Sequence, residues 1–220
     1  MVDRTKDAPI LFSGPMVRAL LARTKTQTRR VVTSSNSMVD GRGDRALFGR
    51  LRLQRAWVDP GPSPAGNPGP YLKASPDDGD TIHRIYPRAA GVDSFWVKER
   101  IVRSTSGPEG LWCNYAADGE RTPADDWPWK RDSLPSIHCP YGLSRLRLRP
   151  LSVVPERLQD ISAADAFAEG VAVEQLGPMT CAIDAFANLW DSINGKRAPW
   201  ASNPWVWVIR FEARRVRPAW

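Results

Sequence analysis

Trp205-Val-Trp-Val-Ile-Arg-Phe211 is the stretch on which the fold turns. It is apolar at every position but Arg210, as suits a strand covered on both faces rather than one that alternates between core and water. Just before it, Met179, Ile183, Phe186, Trp190 and Ile193 step by three or four residues. That spacing predicts an amphipathic helix, which Asn194-Gly195 ends. Further upstream, Ser162-Ala-Ala-Asp165 has the capping pattern of a helix start, and Gly170 suits the residue just past its end.

The same reading extends to the N-terminus. Pro9-Ile-Leu-Phe-Ser13 predicts a short strand, and Gly14-Pro15 opens a helix carrying Met16, Val17, Leu20 and Leu21. Lys25-Thr-Gln-Thr-Arg-Arg-Val-Val32 is rich in β-branched residues and predicts extended chain. Ser94-Phe-Trp-Val-Lys-Glu99 and Leu111-Trp-Cys-Asn-Tyr115 predict two more strands. Arg145-Leu-Arg-Leu-Arg149 alternates strictly, giving one apolar face and one face of three arginines. That strand is expected to resume after Pro150, through Leu151–Val154.

Two stretches read as irregular. Pro60-Gly-Pro-Ser-Pro-Ala-Gly-Asn-Pro-Gly-Pro70 can be neither helix nor central strand. It lies in a basic insertion at about 33–90, where only a small strand around Ala46–Leu53 is expected. The Pro- and Asp-rich chain from Asp118 to Trp129 reads as loop. Strands that do not alternate regularly with helices argue for an α+β fold, a small β-barrel or curled sheet with packed helices.

Composition narrows the function. The chain has 220 residues, with 31 Lys plus Arg against 24 Asp plus Glu, a net charge of +7. Its 42% hydrophobic content supplies a core and excludes a wholly disordered chain. No apolar run approaches the roughly 20 residues that span a bilayer, and the first residues are polar. The expectation is a cytoplasmic protein with no membrane partner. Cys113, Cys139 and Cys181 are widely spaced, as suits reduced thiols. With two histidines, His83 and His138, and no Cys-x-x-Cys pair, neither a metal site nor a cofactor is expected.

Three features carry chemistry. Glu169 falls at a helix C-terminus, where a carboxylate faces the negative end of the helix dipole. Such local violations gather at functional sites, although a solvated surface glutamate would bear the cost easily. Lys25-Thr-Gln-Thr-Arg-Arg30 crowds four donors and two hydroxyls after a helix. A lysine serves as a base only when its pKa is lowered, and a threonine hydroxyl needs such a base to become a nucleophile. Lys25 and Thr28 can meet only if Lys25 precedes the strand; the alternative is a solvated basic edge strand. Finally, Arg145, Arg147 and Arg149, together with Arg29 and Arg30, are candidate phosphate contacts for RNA or DNA.

Residues Ile10-Leu-Phe…Val17-Arg-Ala-Leu-Leu-Ala-Arg-Thr-Lys25-Thr-Gln-Thr28-Arg-Arg30 resemble the opening of ASCH domains, β-barrels of the PUA-like superfamily associated with RNA and modified nucleosides. The family's Gly-x-Lys-Thr-x-Thr-x-Arg segment is matched by Lys25, Thr26, Thr28 and Arg30, with Arg23 in place of the glycine that shapes the turn. Leu158-Gln-Asp-Ile161-Ser162 leads to Glu169 as the family's later acid, and Trp207-Val-Ile-Arg-Phe211 matches its closing strand. Pro135-Ser-Ile-His-Cys-Pro140, Glu156-Arg-Leu-Gln-Asp-Ile-Ser162, Leu189-Trp-Asp-Ser-Ile-Asn-Gly-Lys196 and Asn203-Pro-Trp-Val-Trp-Val-Ile209 resemble a phage-encoded branch, whose site of action is the cytoplasm of a bacterial host.

The resemblance implies a single domain over 1–220 with an irregular insertion at about 33–90. By its likeness to N4-acetylcytidine amidohydrolases it also implies a catalytic Lys25, Thr28 and Glu169. Arg29 and Arg30 would hold the substrate, and Trp96 or Glu99 would line the pocket. Three readings follow: hydrolysis of an N-acyl group on a modified nucleoside; RNA or DNA binding without catalysis; a phage structural or host-interaction protein.

Overall fold

The computed structural model describes residues 6–61, 69–76, 81–104, 111–124, 126–171 and 181–218. In chain order the elements are β1 (Asp7–Leu11), α1 (Gly14–Leu21), β2 (Gln27–Val31), β3 (Ser37–Val39), α2 (Arg45–Arg50), β4 (Trp57–Asp59), β5 (Tyr71–Ala74) and β6 (His83–Pro87). There follow β7 (Ser94–Lys98), β8 (Ile101–Ser104), β9 (Leu111–Tyr115), β10 (Arg121–Ala124), β11 (Ser133–Leu134), β12 (Leu146–Arg157), α3 (Ala163–Ala168), α4 (Ala182–Asn194) and β13 (Trp205–Arg215). The class is α+β, with many strands and few helices. The chain divides into two compact units, each assembled from separated segments.

The first unit comprises Met1–Thr26, Val92–Arg149 and Glu212–Trp220. Here β1 runs parallel to β7, which pairs antiparallel with the start of β12 through Trp96 and Arg147. α1 begins at Ser13 with Pro15 in its first turn and buries Val17 and Leu20. A second sheet, in the order β10-β9-β8-β11, packs Ile101, Cys113, Tyr115, Leu134 and Leu143 into a core. The Asp118–Trp129 stretch, expected to be loop, contains β10. Its Pro123 is tolerated because β10 is an edge strand and need not donate on its outer side.

The second unit comprises Gln27–Gly91 and Pro150–Phe211. β2 lies antiparallel to β13, with Thr28 opposite Ile209, Arg29 opposite Val208 and Arg30 opposite Trp207. Alternation along β13 explains its apolar sequence. Val206 and Val208 pack with Leu158, Phe186 and Trp190, while Trp207 packs with Phe48, Leu72 and Ile85. Both faces are covered, as the sequence pattern requires.

The cover on the Trp207 face corrects two expectations. The described residues of the 33–90 stretch are not irregular: they build an antiparallel sheet in the order β3-β6-β5-β4, and Trp207 Nε1 donates to Ser37 Oγ of β3 at 3.0 Å. The strand expected around Ala46–Leu53 is the helix α2, because Asp44 caps it by accepting the Leu47 N–H at 2.9 Å. Within the proline-rich stretch, residues 62–68 lie outside the described residues, as does Met179 ahead of α4. No sheet closes into a barrel among the described residues. In the second unit the apolar faces are buried by layering sheet on sheet and helix on sheet, which needs no closure.

Candidate functional site

The turn after α1 sets up the first motif residue. Arg23 has φ 61°, the left-handed region that favours glycine. Here an arginine holds that conformation. Lys25 follows before β2 begins, so the geometric condition set by the sequence is met. It belongs to the first unit, is 1% exposed, and has its Nζ 5.6 Å from the centroid of the Phe12 ring.

β2 carries the next residues in the second unit. Gln27, Thr28 and Arg29 are all buried, so this is not a solvated edge strand. Gln27 and Arg29 share one face, and Thr28 and Arg30 the other. The Thr28 hydroxyl has no hydrogen-bond partner among the described residues. Burial pulls the half-buried Arg30 guanidinium down in pKa, and the charge of Glu169 only partly counters it.

α3 delivers the acidic residues. Ser162 Oγ accepts the Asp165 N–H at 3.1 Å and donates to Asp165 Oδ2 at 2.8 Å, closing a capping box. Glu169 is the residue at the helix C-cap, and Gly170 at φ 92° ends the turn. With 4% exposure, Glu169 is no solvated surface residue.

The structure brings Arg29 and Glu169 together. Arg29 Nη1 donates to Glu169 Oε1 at 3.1 Å, while Nη2 and Nε donate to Glu156 Oε1 at 2.8 and 3.3 Å. Asp165 Oδ2 is 3.7 Å from Nη2, and Gln27 Nε2 donates to Asp165 Oδ1 at 3.0 Å. Burial pushes Asp165 up, but hydrogen bonds from Ser162 and Gln27, with the charge of Arg29, hold it below its ordinary value. Arg29 offsets the unfavourable position of Glu169 at the helix end. Its guanidinium is engaged by protein carboxylates. The sequence did not single out Glu156 as a partner of Arg29, because a residue 127 positions away carries no local signal.

The remaining candidates lie in the first unit. Arg145, Arg147 and Arg149 have different surroundings. Arg145, 1% exposed, donates Nε and Nη2 to the two oxygens of Glu99 at 2.9 Å each. It also pairs with Asp118 and Glu120 and stacks 4.0 Å from the centroid of Tyr115. Glu99 and Arg145 are thus a buried ion pair, not a pocket wall and a phosphate contact. Burial pushes Glu99 up in pKa, and Arg145 restrains the rise. Burial also opposes the Arg145 charge, but the hydrogen bonds it donates to Glu99 and Asp118 more than restore it.

Arg147 is also buried, donating Nη1 to Ser144 O and Oγ at 3.0 and 2.8 Å. Arg149 is exposed and pairs with Glu212 at 2.7 Å. Trp96 is half-buried and meets Tyr141 edge-on, with centroids 5.5 Å apart.

Two of the three cysteines are buried. Burial pushes the Cys113 thiol up to about 12 and the Cys139 thiol to about 11. Neither is a thiolate at neutral pH. His83 Nδ1 is 2.8 Å from Asp40 Oδ2. Among the described residues no group of three His, Cys, Asp or Glu is placed to hold a metal ion, and no helix is long and apolar enough to cross a membrane.

Fold and site together define an α+β protein of two units with buried polar clusters in each. The chain matches no family model, no curated protein and no solved structure.

Proposed function

We propose that this is an ASCH-type protein that recognises a nucleobase or modified nucleoside and removes an N-acyl group from it. The observation that carries the reading is the burial of the three motif positions: Lys25 at 1%, Thr28 at 3% and Glu169 at 4% exposed. Removing an amine, a hydroxyl and a carboxylate from water opposes folding, and a surface role would not require it. The left-handed backbone at Arg23, of the kind glycine favours, supports the reading of the turn before Lys25.

In this reading a nucleophilic oxygen, that of Thr28 or of a water, attacks the acyl carbon, the bond to the exocyclic nitrogen breaks, and the amine leaves with the nucleophile's proton. Where Thr28 is the nucleophile, water then releases the acyl group from it. A small substrate is favoured over a long polymer because Arg145, one of the three expected phosphate contacts, is buried among carboxylates and so the three do not make one open basic face.

The test is calorimetric titration of the full chain with N4-acetylcytidine and cytidine. Binding of the acetylated nucleoside, lost in the folded Thr28→Ala and Glu169→Gln variants, supports the reading. Failure of the folded wild type to bind either nucleoside overturns it.

A further inference from the structure

Three arginines are buried among the described residues: Arg29, Arg145 and Arg147. Each of the first two meets three carboxylates. Arg147 meets none. Its Nη1 donates only to Ser144 and to the Leu146 carbonyl at 3.3 Å, and its guanidinium lies 4.4 Å from the Tyr141 centroid. A guanidinium stays charged at any ordinary pH, so here a buried cation is left without a counter-ion.

Arg147 lines a cavity of about 520 Å³ lying wholly within the first unit. Arg149 and Arg214 line it as well, with Ser94 and Tyr141 as neutral hydroxyls. Each carboxylate at its wall accepts a hydrogen bond, and Glu212 alone has a cationic partner among the described residues. Glu212 pairs with Arg149, Asp7 accepts the Tyr141 hydroxyl at 3.0 Å, and Asp93 accepts the Lys6 backbone N–H at 2.7 Å. Arg214, like Arg147, has no carboxylate partner among the described residues.

We propose that this cavity binds the phosphate group of a small phosphomonoester, with Arg147 as the buried counter-ion and Arg214 as the outer one. The volume falls in the range of small-molecule sites. Forked guanidinium N–H groups suit phosphate oxygens, and neither Arg147 nor Arg214 gives them to a carboxylate among the described residues. The wall's three arginines are balanced by three carboxylates, so recognition rests on these directed contacts and not on the net field that a polyanion would need.

The probe is ribose 5-phosphate, with ribose, inorganic phosphate and sulfate as controls at matched ionic strength, followed by calorimetry and thermal shift. Using a sugar phosphate without a base separates this site from the nucleoside reading, and Glu169→Gln should leave the result unchanged. Wild type is expected to bind ribose 5-phosphate and not ribose. Arg147→Met should weaken binding by about tenfold, the equivalent of one charge-assisted contact. Arg214→Ala, at an exposed position that folding does not depend on, should weaken it severalfold and serves if Arg147→Met fails to fold. Three results would overturn the proposal: no binding of ribose 5-phosphate by folded wild type, equal competition by sulfate, or unchanged affinity in Arg214→Ala. Tighter binding of an RNA oligomer than of ribose 5-phosphate would overturn the small-ligand assignment.

Discussion

Arg145 in the first unit and Arg29 in the second are both buried and each faces three carboxylates, yet the two clusters are built differently. Arg145 grips both oxygens of a fully buried Glu99, is stacked on Tyr115, and has Asp118 and Glu120 on its outer side. Arg29 touches Glu169 through a single Nη1 bond and shares its other edge with Glu156. Glu169 sits at the end of a six-residue helix, beside the half-buried Arg30 and one strand away from the β13 core. The first cluster is a bidentate staple between chain segments. The second places a buried carboxylate at a helix end that disfavours it, with an Nη1 contact from Arg29 where the first has two contacts from Arg145.

Breaking the staple should have the largest effect. Glu99→Gln leaves Arg145 without its buried counter-ion and is expected to cost about 3–5 kcal/mol by urea unfolding. Glu169→Gln keeps an oxygen for the Arg29 bond, and Arg29 keeps Glu156. Its expected cost is smaller, about 1–3 kcal/mol. Equal costs at the two positions would remove the distinction between staple and site.

Acid sharpens the comparison. Glu99 is raised, so the folded state binds its proton more tightly. Its contribution is full below the ordinary value of 4.5 and fades as pH rises through the folded value. Asp165 is lowered, so its contribution is full above the ordinary 3.8 and is lost as pH falls through the folded value. Asp165→Asn should therefore flatten part of the stability loss below about 3.8, and Glu99→Gln should not. Denaturation midpoints across that range are the measurement.

The smallest effect belongs to the exposed pair. Arg149 and Glu212 are 62% and 61% exposed, and Glu212→Gln should change stability by less than about 1 kcal/mol, a difference that salt erases.

These contrasts mark how far the sequence could be read. The β13 run, the α3 capping box and the α4 stripe were legible because each is a local pattern of apolar spacing or caps. The fate of Arg145-Leu-Arg-Leu-Arg149 was not. Alternation identifies two faces but not what covers the second, and Glu99, Asp118 and Glu120 reach Arg145 from 46, 27 and 25 residues away. The strands at 33–90 escaped notice because each is only three to five residues long, too short for a period to emerge. Glu169 was legible as an anomaly at a helix end, and its partner Arg29 as part of a basic cluster, but their pairing across 140 residues was not.

The most direct test is turnover of N4-acetylcytidine and related acylated nucleosides by wild type and by Lys25→Ala, Thr28→Ala and Glu169→Gln, with folding checked by circular dichroism. The account predicts release of the acyl group by wild type and its loss in all three folded variants. A folded wild type that hydrolyses no member of the panel, or variants that retain full activity, would contradict it.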